Sequence, residues 1–450
     1  MKNDKITLEI TAVTPDGYGI GRSKNKVVFV PDTAVGDVIE ALIIKELKTS
    51  SVAKVLEIKT PSESRTEPDC EVCKKCGGCV FRHIDYKSEL EIKRGFIKDA
   101  LTRIGGADIP VRDVVFGEEN RYRNKVQYPF GRDENGNCIF GYYAKRSHRI
   151  IEHGDCPLQG GIFTKIAAFC AEEADKLKIK AYDEIKRDGI LRHAVMRKNR
   201  RGEILLCLVV TKKNKELEKL CEAVFDKFGE VIGVHLNYNR DFGNVIFGEK
   251  TEKIIGEDTI TDELCGKKFE LSPRAFYQVN ADMAEKLYNK AKELADAKDG
   301  SVILDLYCGV GTVGLSVASE NDKLCGVEII APAVENAIQN AKSNGRSEEN
   351  TLFVCGDASV GVEECNKKFG KPDIIIVDPP RKGLDENVIK TVVEAAPEKV
   401  VYISCDPATL ARDIKIFAES GYTPSEAFPF DLFPRTGHVE TVVLLSHPER

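Results

Sequence analysis

No apolar run in the 450-residue chain approaches the ~20 residues that a membrane-spanning helix requires, so a transmembrane helix is excluded. No apolar signal core follows Met1-Lys2-Asn3-Asp4-Lys5, and a cytoplasmic location is the expectation. Internal repeats and low-complexity segments are missing too, which removes repeat architectures. An excess of positive charge is also lacking: 66 Lys and Arg stand against 72 Asp and Glu, a net charge of −6. That balance does not announce a nucleic-acid binder. It does not forbid one either, because binding depends on local patches. With 42% hydrophobic and 31% charged residues, the chain reads as a soluble globular protein of about two to four domains. Cysteine, by contrast, is plentiful. Its fifteen copies are too scattered for a small disulfide scaffold, and a reducing compartment argues against disulfides.

Three units are expected, with boundaries at 1–60, 61–270 and 271–450. In the first, Ile6–Ile10, Val27–Val30, Asp37–Ile44 and Ser51–Ile58 read as short strands separated by turns such as Pro15-Asp16-Gly17. They fit a small β-barrel of oligonucleotide-binding (OB) type. Gly17–Arg22 and Pro31–Asp37 resemble a TRAM domain, a module found on RNA-modifying enzymes. The second unit opens on a cysteine-dense stretch. An amphipathic helix is predicted over 83–104, then strands near 126–130, 204–211 and 231–237 with helices over 161–177 and 215–228. The third has a helix over 282–297, then alternating strands and helices of a doubly wound α/β domain. Its last two strands, 423–430 and 439–446, form a hairpin added to a parallel sheet, as in class I methyltransferases.

Four cysteines, Cys70, Cys73, Cys76 and Cys79, recur every third residue, and the last two flank Gly77-Gly78. Such density suits thiolates wrapped around an inorganic core, either structural zinc or an iron–sulfur cluster completed by a distant ligand. Cys156, followed by Pro157, is the distant candidate. Spacing does not say which three of the four bind.

In open α/β sheets, ligands and catalytic groups gather at the carboxyl ends of strands. Three such ends stand out here. Val302–Leu306 runs into Tyr307-Cys308-Gly309-Val310-Gly311-Thr312-Val313-Gly314, a glycine-rich turn. Ile374–Val377 ends in Asp378-Pro379-Pro380-Arg381, and Lys399–Ile403 ends in Ser404-Cys405-Asp406-Pro407. A thiolate, a carboxylate and a cofactor turn therefore face one crevice. Glu328, nineteen residues after Gly309, is placed to accept from a ribose diol, and Asp357 from an adenine amino group. NAD and S-adenosylmethionine both carry that ribose and that amino group, so the turn does not choose between them.

Taken together, these motifs resemble those of bacterial RNA uracil-5 methyltransferases, which make 5-methyluridine, and the resemblance runs over nearly the whole chain. The segment Ser272–Asn280 is similar to their stretch carrying a cofactor- and base-proximal glutamine, here Gln278. Asp305–Gly311, Asp378–Arg381, Ser404–Pro407 and His438-Val439-Glu440-Thr441 complete the match. The resemblance implies a class I (Rossmann-like) methyltransferase domain, an N-terminal TRAM/OB-like β-barrel and a central α+β domain carrying an iron–sulfur cluster. It implies a [4Fe–4S] cluster on Cys70, Cys76, Cys79 and Cys156, with Cys73 an additional thiol. S-adenosylmethionine is the implied cofactor, held by Gln278, Tyr307, Gly309, Thr312, Glu328, Asp357 and Asp378. Cys405 is implied as nucleophile and Glu440 as base.

The chemistry agrees. C5 of uracil is a poor nucleophile until a thiolate adds at C6, and the C5 proton must be removed before the thiol is eliminated. The expected partner is RNA: 23S ribosomal RNA, favoured by the barrel and cluster, or the T-loop of tRNA. No membrane or DNA partner is expected, and the chain is read as a monomer. Arg121, Arg123, Lys125, Arg132, Lys145, Arg146 and Arg149, interleaved with Tyr122, Tyr128, Phe130, Tyr142 and Tyr143, form a candidate RNA surface. Arg192, Arg197, Lys198, Arg200 and Arg201 form a second. Three other functions compete with this one. A cytosine-5 methyltransferase would carry a second cysteine in the Pro-Pro segment, which is absent. A NAD-linked iron–sulfur oxidoreductase leaves Cys405 and Glu440 without a role. A noncatalytic RNA-binding protein would form no covalent adduct with 5-fluorouracil-containing RNA.

Overall fold

Burial alternates along Val38–Glu46, with Ile39, Ala41 and Ile43 inside, the period-two pattern of a strand with one face on a core. The computed structural model, which describes residues 3–447, pairs this strand antiparallel with Lys5–Glu9 on one side and Ser50–Thr60 on the other. Ser50–Thr60 then runs parallel to Lys26–Pro31, followed by Tyr18–Ser23 and Ala12–Val13. Tyr18–Ser23 is a strand despite its glycines. The space a side chain at Gly21 would occupy is filled by Leu8, 2.3 Å from the ideal Cβ position, so the first strand packs directly on the third. The small interior holds Leu8, Ile10, Val28, Val30 and Ile39.

The central unit is a six-stranded sheet in the order Lys250–Gly256, Val231–Tyr238, Ile204–Val210, Leu191–Lys198, Lys125–Arg132, Cys138–Phe140. Ile204–Val210 is buried at every residue, as its unbroken apolar sequence requires. Helices Gly161–Lys176 and Lys215–Lys227 share its core.

The sheet of the third unit has seven strands: Thr351–Cys355, Lys323–Glu328, Val302–Leu306, Ile374–Val377, Lys399–Ser404, Glu440–Ser446 and Thr423–Phe430. The first five are parallel. Glu440–Ser446 is antiparallel to both its neighbours. Two apolar clusters enclose its two faces, each fully buried Ile or Leu contributing roughly 1.5–3 kcal/mol.

Two elements cross the expected boundaries. The hairpin Ile260–Leu264/Lys267–Leu271 lies almost wholly before the expected boundary at 270/271, yet Ile260, Leu264, Phe269 and Leu271 pack in the core of the third unit. The helix Tyr86–Ala100 belongs to the second unit by sequence, where the helix near 83–104 is expected to be able to pack on the third, and Ile97 and Ala100 pack with Phe417 and Tyr422 of the third. It starts at residue 86 because Asp85 caps it, accepting from the Ser88 N–H at 2.9 Å. No helix among the described residues is long and apolar enough to cross a membrane.

Candidate active site

Sheet register builds the site. Val377 pairs with Tyr402, so Asp378 and Cys405 leave neighbouring parallel strands at the same edge. Ser404 pairs with Thr441 of the antiparallel strand, which brings that strand's first residue, Glu440, beside Cys405. An antiparallel strand next to parallel ones delivers its beginning where they deliver their ends. The result is one cleft of about 740 Å3. Cys405, Glu440, Asp378, Arg381 and His438 line it together with Gln278, Tyr307, Gly309 and Glu328.

The turn after Val302–Leu306 is tight. Tyr307 has a left-handed backbone, φ 67°, and the Gly309 N–H donates to Glu328 Oε2 at 3.2 Å. Thr312 opens the following helix, and its hydroxyl lies 3.5 Å from that of buried Tyr288 instead of lining the cleft. Asp357 is also outside the cleft lining: its Oδ1 caps the helix Ala358–Phe369, accepting from the Ser359 and Val360 N–H groups.

The cleft is rich in acid for its depth. Burial pushes the Glu440 carboxyl up to about 8, assisted by Asp378 and opposed by the Arg381 guanidinium. Burial alone takes Asp378 to about 7. Asp305 accepts from the Gly314 N–H at 2.8 Å, but its Oδ1 is unpartnered, and burial raises it to about 8. The Cys405 thiol is pushed up to about 12 by burial, then by Glu440 and Asp378, with Arg381 acting against them. A cation entering the cleft reverses this, favouring carboxylate and thiolate together. Arg381 Nη2 stands 2.9 Å from His438 Nε2. A guanidinium only donates, so that nitrogen accepts and the ring is neutral. From sequence, Arg381 is expected only to pair with an acid; the structure gives it His438 as hydrogen-bond partner as well. Its place directly after Asp378-Pro379-Pro380 was the available signal.

A second cavity, of about 80 Å3, is lined by all five candidate thiols, Cys70, Cys73, Cys76, Cys79 and Cys156, together with Arg82 and Arg123. Among the described residues no three metal-ligating side chains are gathered at coordinating distance. The donor chemistry nevertheless fits a thiolate-bound cluster. Burial raises the Cys79 thiol to about 11, so the free thiolates are costly there, and two guanidiniums stand by to balance the charge of a thiolate set.

The expected RNA surface is partly interior. Tyr128 and Phe130 are core residues. Arg192 is buried and donates to the Asn239 and Asp241 carbonyls, and Arg197 is buried and donates to the Ala275 carbonyl at 2.7 Å. Arg197 instead secures the segment that carries Gln278, which Asn124 also holds through the Gln278 carbonyl at 2.9 Å. Lys145, Arg146, Arg149, Arg200 and Arg201 are exposed. Phe276, 72% exposed, stands at the cleft mouth as an available stacking surface.

The sequence profile described as tRNA (Uracil-5-)-methyltransferase matches residues 237–448, and that of the TRAM domain matches residues 1–56. A protein of Clostridium tetani (strain Massachusetts / E88), described as an uncharacterized RNA methyltransferase, is 41% identical over 450 residues, covering 99% of this chain and 97% of its own. Another so described, from Staphylococcus aureus (strain MSSA476), is 37% identical over 449 residues, covering 99% and 98%. Among solved structures, the Pyrococcus abyssi tRNA (uracil-54, C5)-methyltransferase in complex with S-adenosyl-L-homocysteine matches with a TM-score of 0.78 and 26% identity, covering 98% of this chain and 100% of that one.

Proposed function

The chain belongs to the RNA uracil-5-methyltransferase family and is an S-adenosylmethionine-dependent RNA methyltransferase, and from that premise we propose that it methylates C5 of a specific uridine through a covalent Cys405–C6 adduct. The observation that supports the proposal is the pairing of Lys399–Ser404 with Glu440–Ser446, which sets Cys405 and Glu440 side by side. S-adenosylmethionine supplies an electrophilic methyl on a sulfonium. The Cys405 thiolate adds to C6, and the electrons of the C5=C6 bond move to C5 as an enolate. C5 takes the methyl as the methyl–sulfur bond breaks and its electron pair stays on sulfur, so that S-adenosylhomocysteine is the leaving group. Glu440 removes the C5 proton, the C6–S bond breaks, and Cys405 leaves as the thiolate. Gln278 and Asp378 line the same cleft and are assigned to orienting the base and cofactor. Tyr307, Gly309 and Glu328 are assigned to the adenosyl part, and Asp357 Oδ2, which capping leaves free, to its adenine.

Two substitutions test the order of bond changes. Cys405→Ala should abolish methylation and adduct formation, because no C6 bond forms. Glu440→Gln should still add and methylate but stall before elimination, accumulating a denaturation-resistant protein–RNA complex that carries labelled methyl. Normal turnover by Glu440→Gln would remove Glu440 as base, and methylation by Cys405→Ala would remove the covalent route.

We assign a [4Fe–4S] cluster to Cys70, Cys76, Cys79 and Cys156, with a structural or RNA-positioning role. Anaerobically purified protein should carry about four iron and four sulfide per chain, and Cys73→Ala should keep them. One zinc and no iron would reject the assignment. For the substrate we place 23S ribosomal RNA first, on the union of barrel and cysteine loop, in the cytoplasm. The T-loop of tRNA is the second reading, favoured by the full-length likeness to the Pyrococcus abyssi tRNA enzyme. Mapping 5-methyluridine in ribosomal and transfer RNA from cells lacking the protein decides between them.

A further inference from the structure

Glu440 is the first residue of its strand, so its position depends on the segment before it, Asp431–Val439. That segment is held from several sides. The Pro15-Asp16-Gly17 turn of the barrel meets it at Gly437, where a Cβ would stand 1.7 Å from the Pro15 carbonyl oxygen. The same turn is backed by the cysteine loop, since a Cβ at Gly17 would lie 2.8 Å from Val80 Cβ. The N–H groups of Val80 and Phe81, immediately after Cys79, both donate to the Arg435 carbonyl, at 2.9 and 3.3 Å.

Arg435 is itself over-determined. Its backbone is left-handed, φ 69°, a conformation disfavoured for a side chain that long. It persists because the Arg435 N–H donates to Glu89 Oε1 at 2.7 Å, while its guanidinium donates to the Ile84 carbonyl at 2.8 Å and to Glu119. Lys93, fully buried, donates to Glu89, to Asp431 at 2.8 Å and to the Phe433 carbonyl at 3.2 Å. From the central unit, the Tyr122 hydroxyl donates to the Pro434 carbonyl at 3.2 Å. Downstream, the ring of His438 accepts from Arg381 in the cleft.

We infer that Asp431–Val439 is the joint through which the barrel, the cysteine loop and the helix Tyr86–Ala100 set the position of the Glu440 carboxylate, with Gly437 and Arg435 as positioning residues for proton removal. This rests on Glu440 being the base. The joint also gives the cysteine site a task that needs no electron transfer: holding Cys79–Phe81 holds Arg435. A displacement of about 1 Å at a reacting group costs on the order of 100-fold in its step. The step most exposed here is proton removal, because Glu440 is the group that directly follows the joint.

The test uses the full chain, methyl-labelled S-adenosylmethionine, and RNA labelled with 5-tritiated uridine in cells lacking the protein. Normal turnover releases one tritium for each methyl incorporated. Gly437→Ala should bind S-adenosylhomocysteine as the parent does and still methylate. It should release tritium at least tenfold more slowly than it transfers methyl, and build up denaturation-resistant methylated adduct. Glu119→Ala, which loosens Arg435 from a partly exposed side chain, should show the same imbalance more mildly. If Gly437→Ala does not fold, Glu119→Ala alone decides. Equal release and incorporation in the folded variants, whether at parental rate or with only a raised KM for RNA, overturns the inference. Glu440→Gln run alongside separates the two readings. If Glu440→Gln releases tritium normally, the assignment of the base fails; if it stalls and the joint variants do not, the joint alone is wrong.

Discussion

Arg381 sets a formal positive charge against the raised Glu440 carboxyl and the Cys405 thiol, and it lowers both. A base must be ionised to accept the C5 proton, and a thiol must be ionised to add. Both groups are therefore in their unreactive forms at low pH, and kcat/KM rises with pH through the neutral range. Arg381→Gln removes the charge that favours ionisation, so the acid limb of the pH profile should move to higher pH by about one unit, the shift that ~1.4 kcal/mol of lost charge interaction produces. A pH–rate profile of the variant checks this, and an unmoved limb would mean that Arg381 acts only through its bond to His438. At this scale the sequence was legible where residue type and strand end coincided, as at Asp378 and Cys405. It misled at Arg192 and Arg197, whose guanidiniums find backbone carbonyls 47 and 78 residues away. No local pattern announces such partners, and two buried structural arginines read as a surface stripe.

Among the elements, the helix Tyr86–Ala100 shows the same difficulty in another form. Its apolar face was visible, and its start follows from the Asp85 cap. Glu89 and Lys93, one turn apart, are both fully buried, because Asp431 and Arg435 arrive from the far end of the chain and no local pattern announces them. Lys93→Met would leave two buried acids facing each other, and breaking a buried charge set in this way costs about 3–5 kcal/mol. The pH dependence has a definite sign. Burial already raises the Glu89 carboxyl to about 7, and without Lys93 it rises further. A folded-state carboxyl above its unfolded value weakens the fold as pH rises through it. The variant should therefore lose more stability relative to the parent at pH 8 than at pH 6, measured by urea unfolding at both. An equal loss at the two values would mean that the space left by Lys93, not the charge, sets the cost.

Across the whole molecule, the glycine turn, Cys405 and Glu440 sit on one sheet, and a further group of exposed cations lies on the central unit. Lys145 and Arg146 of the central unit lie over the Tyr18 ring of the barrel, at 5.0 and 5.6 Å, and Lys145 also donates to the Asp16 carbonyl. These exposed cations cross the seam between barrel and central unit at the turn that abuts Gly437. The net charge of −6 concealed this, because a sum over 450 residues says nothing of where the cations stand. If the seam carries RNA backbone, replacing Lys145 and Arg146 by Ala should weaken RNA binding at low salt. It should also flatten the dependence of log K on log salt by about 0.7 for each lost contact with a single-stranded phosphate. Affinity for S-adenosylhomocysteine should not change, since the adenosyl site is built by other strands. Filter binding across a salt series, with calorimetry of the cofactor product on the same variant, measures both. An unchanged salt slope would make this a solvated edge and move the RNA path to Arg200 and Arg201. A parallel loss of cofactor affinity would mean that the seam supports the fold and does not contact the substrate.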